Sequence, residues 1–445
     1  MALAKRDLFR ILLLTCGLLA LLPPAGARAD LLEYVKKPEP HFAWKLKQKI
    51  DSPLGVVYDI ELTSQMWEGM DWTHQLQVYQ PKDTAPTSTM LLFNTGGKAS
   101  PESILLGLGL AKQIGAPCAI LFGIPNQPLL DGKKEDALIA ETFVRYLDTK
   151  DADWPLLFPM VKSVVKAMDA LQEFSKEEWK APVKSFVVSG ASKRGWTTWL
   201  TAAADPRVQA IAPMVIDTLN MVEQMDHQKE TLGKYSDMIH DYVERGLVPI
   251  PQKDEAKHLW QMIDPYFYRE KLKMPKLLIN GANDQYWSTD ALNLYWDGLP
   301  GDKWVTYVPN AGHNLQQGGD DKTPGDRTWG MNALAAFARA QINGKAMPHL
   351  EWKHDDDATG RMRLTVETKT APSAAHLWAA KSATRDFRKA AWVEQAATID
   401  KETVTGLVDA PADGCEAFFG ALDYEIDGIK YRLCTQMRVT GKPKP

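Results

Sequence analysis

A serine at the corner between a buried strand and a helix constrains this fold more than any other feature. The apolar run 185–189 predicts a strand, and a helix is predicted to follow Ser192. Such a turn needs small residues on both sides of the serine, because strand and helix approach closely around a strained backbone. Gly190 meets this need, but Arg194 stands where the G-x-S-x-G pattern has its second glycine, and Gly195 follows one residue later. The segment predicts a nucleophile elbow, with a helix-capping serine as the alternative.

Strands alternate with helices through the middle of the chain, after two strands with polar–apolar alternation. This order predicts a mostly parallel sheet covered by helices on both faces. Together with the elbow, it favours an α/β-hydrolase sheet that starts with antiparallel strands. The predicted strands are 56–62, 75–79, 89–94, 118–122, 185–189, 208–216, 276–280 and 304–308, and the predicted helices are 101–114, 161–174, 196–204 and 328–342.

The length of 445 residues exceeds one ordinary core and predicts more than one domain. We expect the α/β-hydrolase domain at 30–345, interrupted at about 218–274 by a helical insertion without a sheet strand. The insertion is either a cap over the site or a surface excursion without a role in it. Short β-branched segments from 346 to 445 predict a β-sandwich-like domain.

Two further residues follow predicted strands in the order that an α/β-hydrolase site requires, which is serine, then acid, then histidine. Asp284 follows the strand 276–280, and His313 follows the strand 304–308. The sequence therefore predicts Ser192, Asp284 and His313 as nucleophile, acid and base. Asp217 also ends a strand and is the alternative acid, less favoured because of its place in the chain.

Backbone amides near Ser192 are the expected donors to a developing oxyanion. The Lys193 amide begins the helix, where the dipole favours negative charge. A second amide is expected from Gly96 or Gly97, which follow the first parallel strand. Taken alone, the two glycines are equally typical of an ordinary turn between a strand and a helix.

Three aromatic residues are candidates for a substrate pocket. Trp196, Tyr286 and Trp287 lie close in sequence to the predicted nucleophile and acid. Packing against the core is an equally good explanation of all three.

The N-terminal pattern predicts a secretory leader (a signal peptide), with a basic head, an apolar run at 11–22 and small residues before position 30. Cleavage after Ala29 removes residues 1–29 and predicts a periplasmic or secreted protein without a transmembrane anchor. The formal charge of −4 and the absence of a basic block argue against nucleic acid as a partner. The His and Cys residues do not have the spacing of a zinc site, so no metal is implied. No organic cofactor is implied either.

Export makes a disulfide possible, and Cys415 and Cys434 are spaced so that they could pair. The third cysteine of the mature chain, Cys118, fits a buried strand position and is expected to act as a small apolar side chain.

The stretch 190–200, with Arg194 in the elbow, followed by 205–208 and 215–221, resembles the PhoPQ-activated pathogenicity-related protein family. The likeness spans roughly residues 35–440. The resemblance implies an exported serine hydrolase but no agreed substrate. The expected partner is therefore a substrate, either a small-molecule ester or a peptide. A hydrolase fold that has lost turnover and binds a host or envelope partner is the alternative, and a carbohydrate esterase is a further one. The oligomeric state stays open.

Overall fold

The computed structural model describes residues 30–319 and 323–444, so the predicted leader lies outside the described residues. None of the described helices is long and apolar enough to cross a membrane. The helices are α1 (Leu31–Lys36), α2 (Pro101–Ile114), α3 (Glu135–Thr149), α4 (Leu157–Phe174), α5 (Lys193–Ala204), α6 (Met221–Leu232), α7 (His240–Glu244), α8 (Asp254–Ile263) and α9 (Thr328–Ile342).

The strands form two sheets. They are β1 (Ala43–Ser52), β2 (Gly55–Trp67), β3 (Met70–Pro81), β4 (Thr89–Asn94), β5 (Cys118–Leu121), β6 (Ser185–Ala191), β7 (Val208–Met214), β8 (Lys276–Gly281), β9 (Lys303–Val308), β10 (Leu350–Asp356), β11 (Met362–Thr368), β12 (Ala374–Ser382), β13 (Val393–Ala396), β14 (Thr398–Asp400), β15 (Thr403–Val408), β16 (Gly414–Ile426), β17 (Ile429–Cys434) and β18 (Arg438–Lys442). The larger sheet has the order β1-β2-β3-β5-β4-β6-β7-β8-β9-β17-β16-β12-β13, with β18 also paired to β16, and the smaller has the order β10-β11-β15-β14.

The strands β5, β4, β6, β7, β8 and β9 are parallel neighbours, as the alternating sequence pattern predicts. All six residues of β8 are buried, as expected for a strand covered by helices on both faces. At one side of this group β3 pairs with β5 in the antiparallel direction. The carboxyl ends of β6, β8 and β9 therefore lie at one edge of the sheet, where parallel sheets hold their sites.

The C-terminal strands are antiparallel and continue the larger sheet, because Cys434 of β17 pairs with Val305 of β9. The smaller sheet faces these strands. Gly406 in β15 lies against Leu377 of β12, and Gly420 in β16 lies against Leu364 of β11. The division of the chain into separate domains near residue 345 stays a prediction.

The three described cysteines are free and buried, so the possible pairing of Cys415 with Cys434 is wrong for this structure. Cys434 lies opposite Ala421, and roughly 20 Å of extended strand separates Ala421 from Cys415. A disulfide needs the two Cα atoms within about 7 Å.

Residues 218–274 contain α6, α7 and α8 and no strand, as expected for the insertion. Their position is fixed partly by the Asp264 carboxylate, which accepts hydrogen bonds from the amides of Asn220, Met221 and Tyr266 at 3.2, 2.8 and 2.9 Å. We refer to this segment as the cap, because it lies over the pocket described below.

Candidate active site

Ser192 lies in a strained turn between β6 and α5. Its backbone has φ 57° and ψ −126°, a conformation that L-residues rarely adopt outside functional turns. The turn is held by a hydrogen bond of 2.9 Å from the Ser192 amide to the Met214 carbonyl. A Cβ atom at Gly190 would lie 2.7 Å from the Arg194 carbonyl, and one at Gly195 would lie 3.0 Å from the Gly190 carbonyl. Both glycines are therefore required by the contact between strand and helix.

The side chains of Ser192, His313 and Asp284 form a continuous hydrogen-bonded series. The distance from His313 Nε2 to Ser192 Oγ is 2.8 Å, and that from His313 Nδ1 to Asp284 Oδ2 is also 2.8 Å. The other Asp284 oxygen accepts the Tyr286 amide at 2.9 Å. With Nδ1 protonated towards the carboxylate, Nε2 is free to accept a proton from the serine hydroxyl.

The loops that carry Asp284 and His313 touch through two glycines. A Cβ atom at Gly281 would lie 2.4 Å from the Gly312 carbonyl, and one at Gly312 would lie 2.6 Å from the Gln285 amide nitrogen. The Gln285 side chain also accepts the His313 amide at 3.3 Å. These contacts place the acid and the imidazole at the carboxyl ends of adjacent strands.

Asp217, the alternative acid, lies near this series but has different partners. Its carboxylate accepts the Tyr295 hydroxyl and the Asn280 amide, the latter at 3.1 and 3.2 Å. Burial raises the pKa of Asp217 to about 6, and these two donors oppose the rise. No hydrogen bond joins Asp217 to His313 in the described part of the chain, and Asp284 occupies the position beside the imidazole.

Arg194 joins the elbow to the start of α3. Its guanidinium forms a two-point ion pair with Glu135, with distances of 2.6 and 2.8 Å, and also donates to the Ile124 carbonyl. Burial raises the pKa of Glu135, but the hydrogen bonds and charge of Arg194 outweigh burial and lower it to about 2. A Cβ atom at Gly96 would lie 1.8 Å from the guanidinium, so a side chain there would displace Arg194 from this position. Gly97, the other predicted amide donor, is exposed beside it.

A polar cluster that the sequence did not reveal surrounds Asp136. Its carboxylate accepts Lys193 Nζ at 2.6 Å and the hydroxyls of Tyr242 and Tyr286 at 3.0 and 3.3 Å. Burial lowers the pKa of Lys193, but Asp136 more than compensates, so the pKa lies above its usual value. The Tyr286 ring also packs on the His313 imidazole, with centroids 4.3 Å apart.

A pocket adjoins Ser192 and His313 and extends beneath the cap. Trp196, Tyr286 and Trp287, the three predicted pocket residues, all line it. Cap residues close its other side, so the cap contributes directly to this site. They are Thr218, Met221, Met225, Ile239, Tyr242, Val248 and Trp260. In the described residues no group of three or more His, Cys, Asp or Glu side chains is placed to hold a metal ion.

The strand order, the elbow serine and the Ser–Asp–His order in the chain define an α/β-hydrolase fold. The chain belongs to the PhoPQ-activated pathogenicity-related protein family, whose model matches residues 31–388.

The chain is also similar to autocrine proliferation repressor protein A of Dictyostelium discoideum, with 32% identity over 380 residues that cover 80% of this chain and 75% of the relative. Among solved structures, acetyl xylan esterase 1 from a Thermoanaerobacterium species is similar at 17% identity and a TM-score of 0.45, over 64% of this chain and 86% of the other. An S-formylglutathione hydrolase from Agrobacterium tumefaciens is similar at 12% identity and a TM-score of 0.42, over 67% and 98%.

Proposed function

We propose that this protein is an exported serine hydrolase that cleaves an ester or peptide bond through an acyl-enzyme. The observation that carries the proposal is the series from Ser192 through His313 to Asp284, with 2.8 Å at each step, at a strained elbow. A serine hydroxyl is a weak nucleophile unless an adjacent base removes its proton, and this arrangement supplies that base.

In the proposed reaction His313 accepts the Ser192 proton as Oγ attacks the substrate carbonyl. The carbonyl π electrons move onto oxygen, and Asp284 stabilises the imidazolium while remaining ionised. His313 then gives the proton to the leaving alcohol or amine, and the acyl-enzyme forms. Water repeats the same steps in the second half and releases the acid.

The oxyanion is assigned to the Lys193 amide and to an amide of Gly96 or Gly97. Lys193 is the first residue of α5, so its N–H belongs to a helix terminus that favours negative charge. Gly96 is in contact with the guanidinium of Arg194, two residues beyond Ser192, which keeps its loop beside the elbow.

The alternative is a protein that binds a host or envelope partner without turnover. One observation favours it, since the name of the similar Dictyostelium discoideum protein describes a repressor of proliferation and no enzyme. The leader predicted for residues 1–29 would direct either version of the protein to the periplasm or out of the cell.

The test is turnover of p-nitrophenyl esters and fluorogenic peptides by the purified mature chain. Ser192→Ala and His313→Ala should each lower kcat by roughly 10⁴-fold or more, because the two side chains act as one unit. Ser373→Ala, at an exposed serine of the C-terminal region, is the control and should retain activity. Hydrolysis that survives Ser192→Ala unchanged would disprove the proposed mechanism.

A further inference from the structure

The pocket beside Ser192 has an apolar interior. A cavity of about 40 Å³ lies between α5 and the cap. Six of its apolar lining side chains define what we call the cap pocket: Trp196, Ile216, Met221, Met225, Ile239 and Trp260. All six are buried, at no more than 7% exposure. An apolar group that enters this space gains roughly 0.8 kcal/mol per methylene removed from water, which corresponds to about fourfold in binding.

The ionised groups on the pocket wall are already paired with each other. The Asp136 carboxylate receives Lys193 together with the hydroxyls of Tyr242 and Tyr286. A charged substrate group would lose its hydration in the pocket and would have to break this pairing to gain a partner. Since burial of an unpaired charge is strongly unfavourable, the pocket selects against charged groups.

The two sides of the site differ in their access to solvent. The His313 side chain is 24% exposed, whereas Met225 and Trp260 beneath the cap are 4% and 3% exposed. The leaving group takes its proton from His313 and must then depart, which suits the exposed side. The acyl group stays bonded to Ser192 Oγ until water attacks, which suits the closed side.

On the basis of the proposed function, we propose that the cap pocket binds the acyl group of the substrate, and that this group is uncharged, apolar and larger than acetyl. The substrate class is therefore an ester or amide of an apolar acid. In each turnover Ser192 Oγ bonds to the acyl carbon and the leaving group departs with the proton that His313 took from the serine. Water then bonds to the acyl carbon through His313, the bond to Oγ breaks, Ser192 regains its proton and the acid is released.

The experiment compares kcat/KM for p-nitrophenyl esters from acetate to decanoate, with a monosuccinate ester as the charged member. We expect kcat/KM to rise about fourfold per added methylene beyond acetate until the pocket is filled. The succinate ester should be at least tenfold poorer than the butyrate ester. A series of acetate esters with longer alcohols should show no comparable rise.

Variants at Met225 test whether the preference belongs to this pocket. Met225→Ala enlarges the pocket and should move the optimum to longer acyl chains, whereas Met225→Trp fills it and should move the optimum towards acetate. Met238→Ala is the matched control, because Met238 belongs to the same cap but is 40% exposed. The two substitutions should shift the preferred acyl-chain length in opposite directions. Either variant alone, if it folds, is therefore enough to test the assignment.

Labelling by a small fluorophosphonate distinguishes failure of this inference from failure of the proposed function. A wild-type protein that is labelled at Ser192 but hydrolyses all acyl chains equally, or selects by alcohol length, overturns the acyl-pocket assignment and leaves the hydrolase intact. An optimum that stays fixed in a folded Met225 variant also overturns it. A folded wild-type protein without labelling overturns the hydrolase itself.

Discussion

Arg194 explains how the elbow departs from the usual glycine pattern. The glycine that packs against the strand is Gly195, where an added Cβ atom would lie 3.0 Å from the Gly190 carbonyl and 2.5 Å from the Ile216 side chain. Arg194 instead turns away from the strand and forms the two-point pair with Glu135. A charge-assisted, two-point pair of this kind is strongly directional, so it fixes the elbow to the start of α3. These contacts explain why the second glycine of the elbow stands at position 195 and not at position 194.

Asp284 and Asp217 are a matched pair of carboxylates with different roles in the proposed mechanism. Asp284→Asn should lower kcat by roughly 10⁴-fold, because the amide no longer holds His313 in the required tautomer. Asp217→Asn preserves the shape of a side chain bonded to Tyr295 and Asn280, so kcat should change by less than about tenfold. Steady-state kinetics and thermal unfolding of both variants test this. Equal losses of kcat, or a larger loss for Asp217→Asn, would contradict the assignment of the acid.

At the scale of elements, the C-terminal region holds the loops that carry the acid and the histidine. The Asn283 amide, one residue before Asp284, donates to the carbonyls of Phe387 and Ala390 at 3.0 and 2.8 Å. Asn310, in the loop that leads to His313, exchanges hydrogen bonds with the backbone of Trp392 at 2.8 and 2.7 Å. The segment between β12 and β13 therefore positions both loops from outside the parallel sheet.

Asn283→Ala should lower kcat by roughly tenfold to a hundredfold with little change in KM, because a small displacement of Asp284 misaligns His313. Asn332→Ala is the control, since the Asn332 amide also joins the two regions, donating to the Lys430 carbonyl at 2.9 Å, but from α9 to β17. Both variants should lose about 1 kcal/mol of unfolding free energy. If kcat falls equally in both variants, or in neither, Asn283 does not position the acid.

At the scale of the whole molecule, local periodicity was enough to predict the parallel sheet. Strand β4 and helices α2 and α9 occupy the predicted ranges. In each of them the spacing of the apolar residues matches the face that is buried in the core. Strand β1 was missed because none of its residues is fully buried, and Gln48 interrupts the short alternation of Trp44, Leu46 and Ile50 with lysines. The sequence pattern also did not reveal β12 or α3, although much of each is buried.

The three residues of the candidate triad were predicted from their order in the chain. Ser192, Asp284 and His313 follow strands in the order the fold requires, and the structure brings their side chains within hydrogen-bonding distance. Asp136 could not be predicted, because its role depends on contacts with Lys193 and with Tyr242 of the cap, which are distant in sequence. Contacts of that kind leave no periodic signal. The acyl-binding role that we propose for the pocket likewise depends on how the cap folds over α5.

The central claim is an activated Ser192, and the most direct test is covalent labelling of the mature chain with a fluorophosphonate, followed by digestion and mass spectrometry. We expect one adduct, on Ser192, which is lost in His313→Ala although that variant keeps the serine. A folded wild-type protein without an adduct, or with an adduct on another serine, would contradict the account.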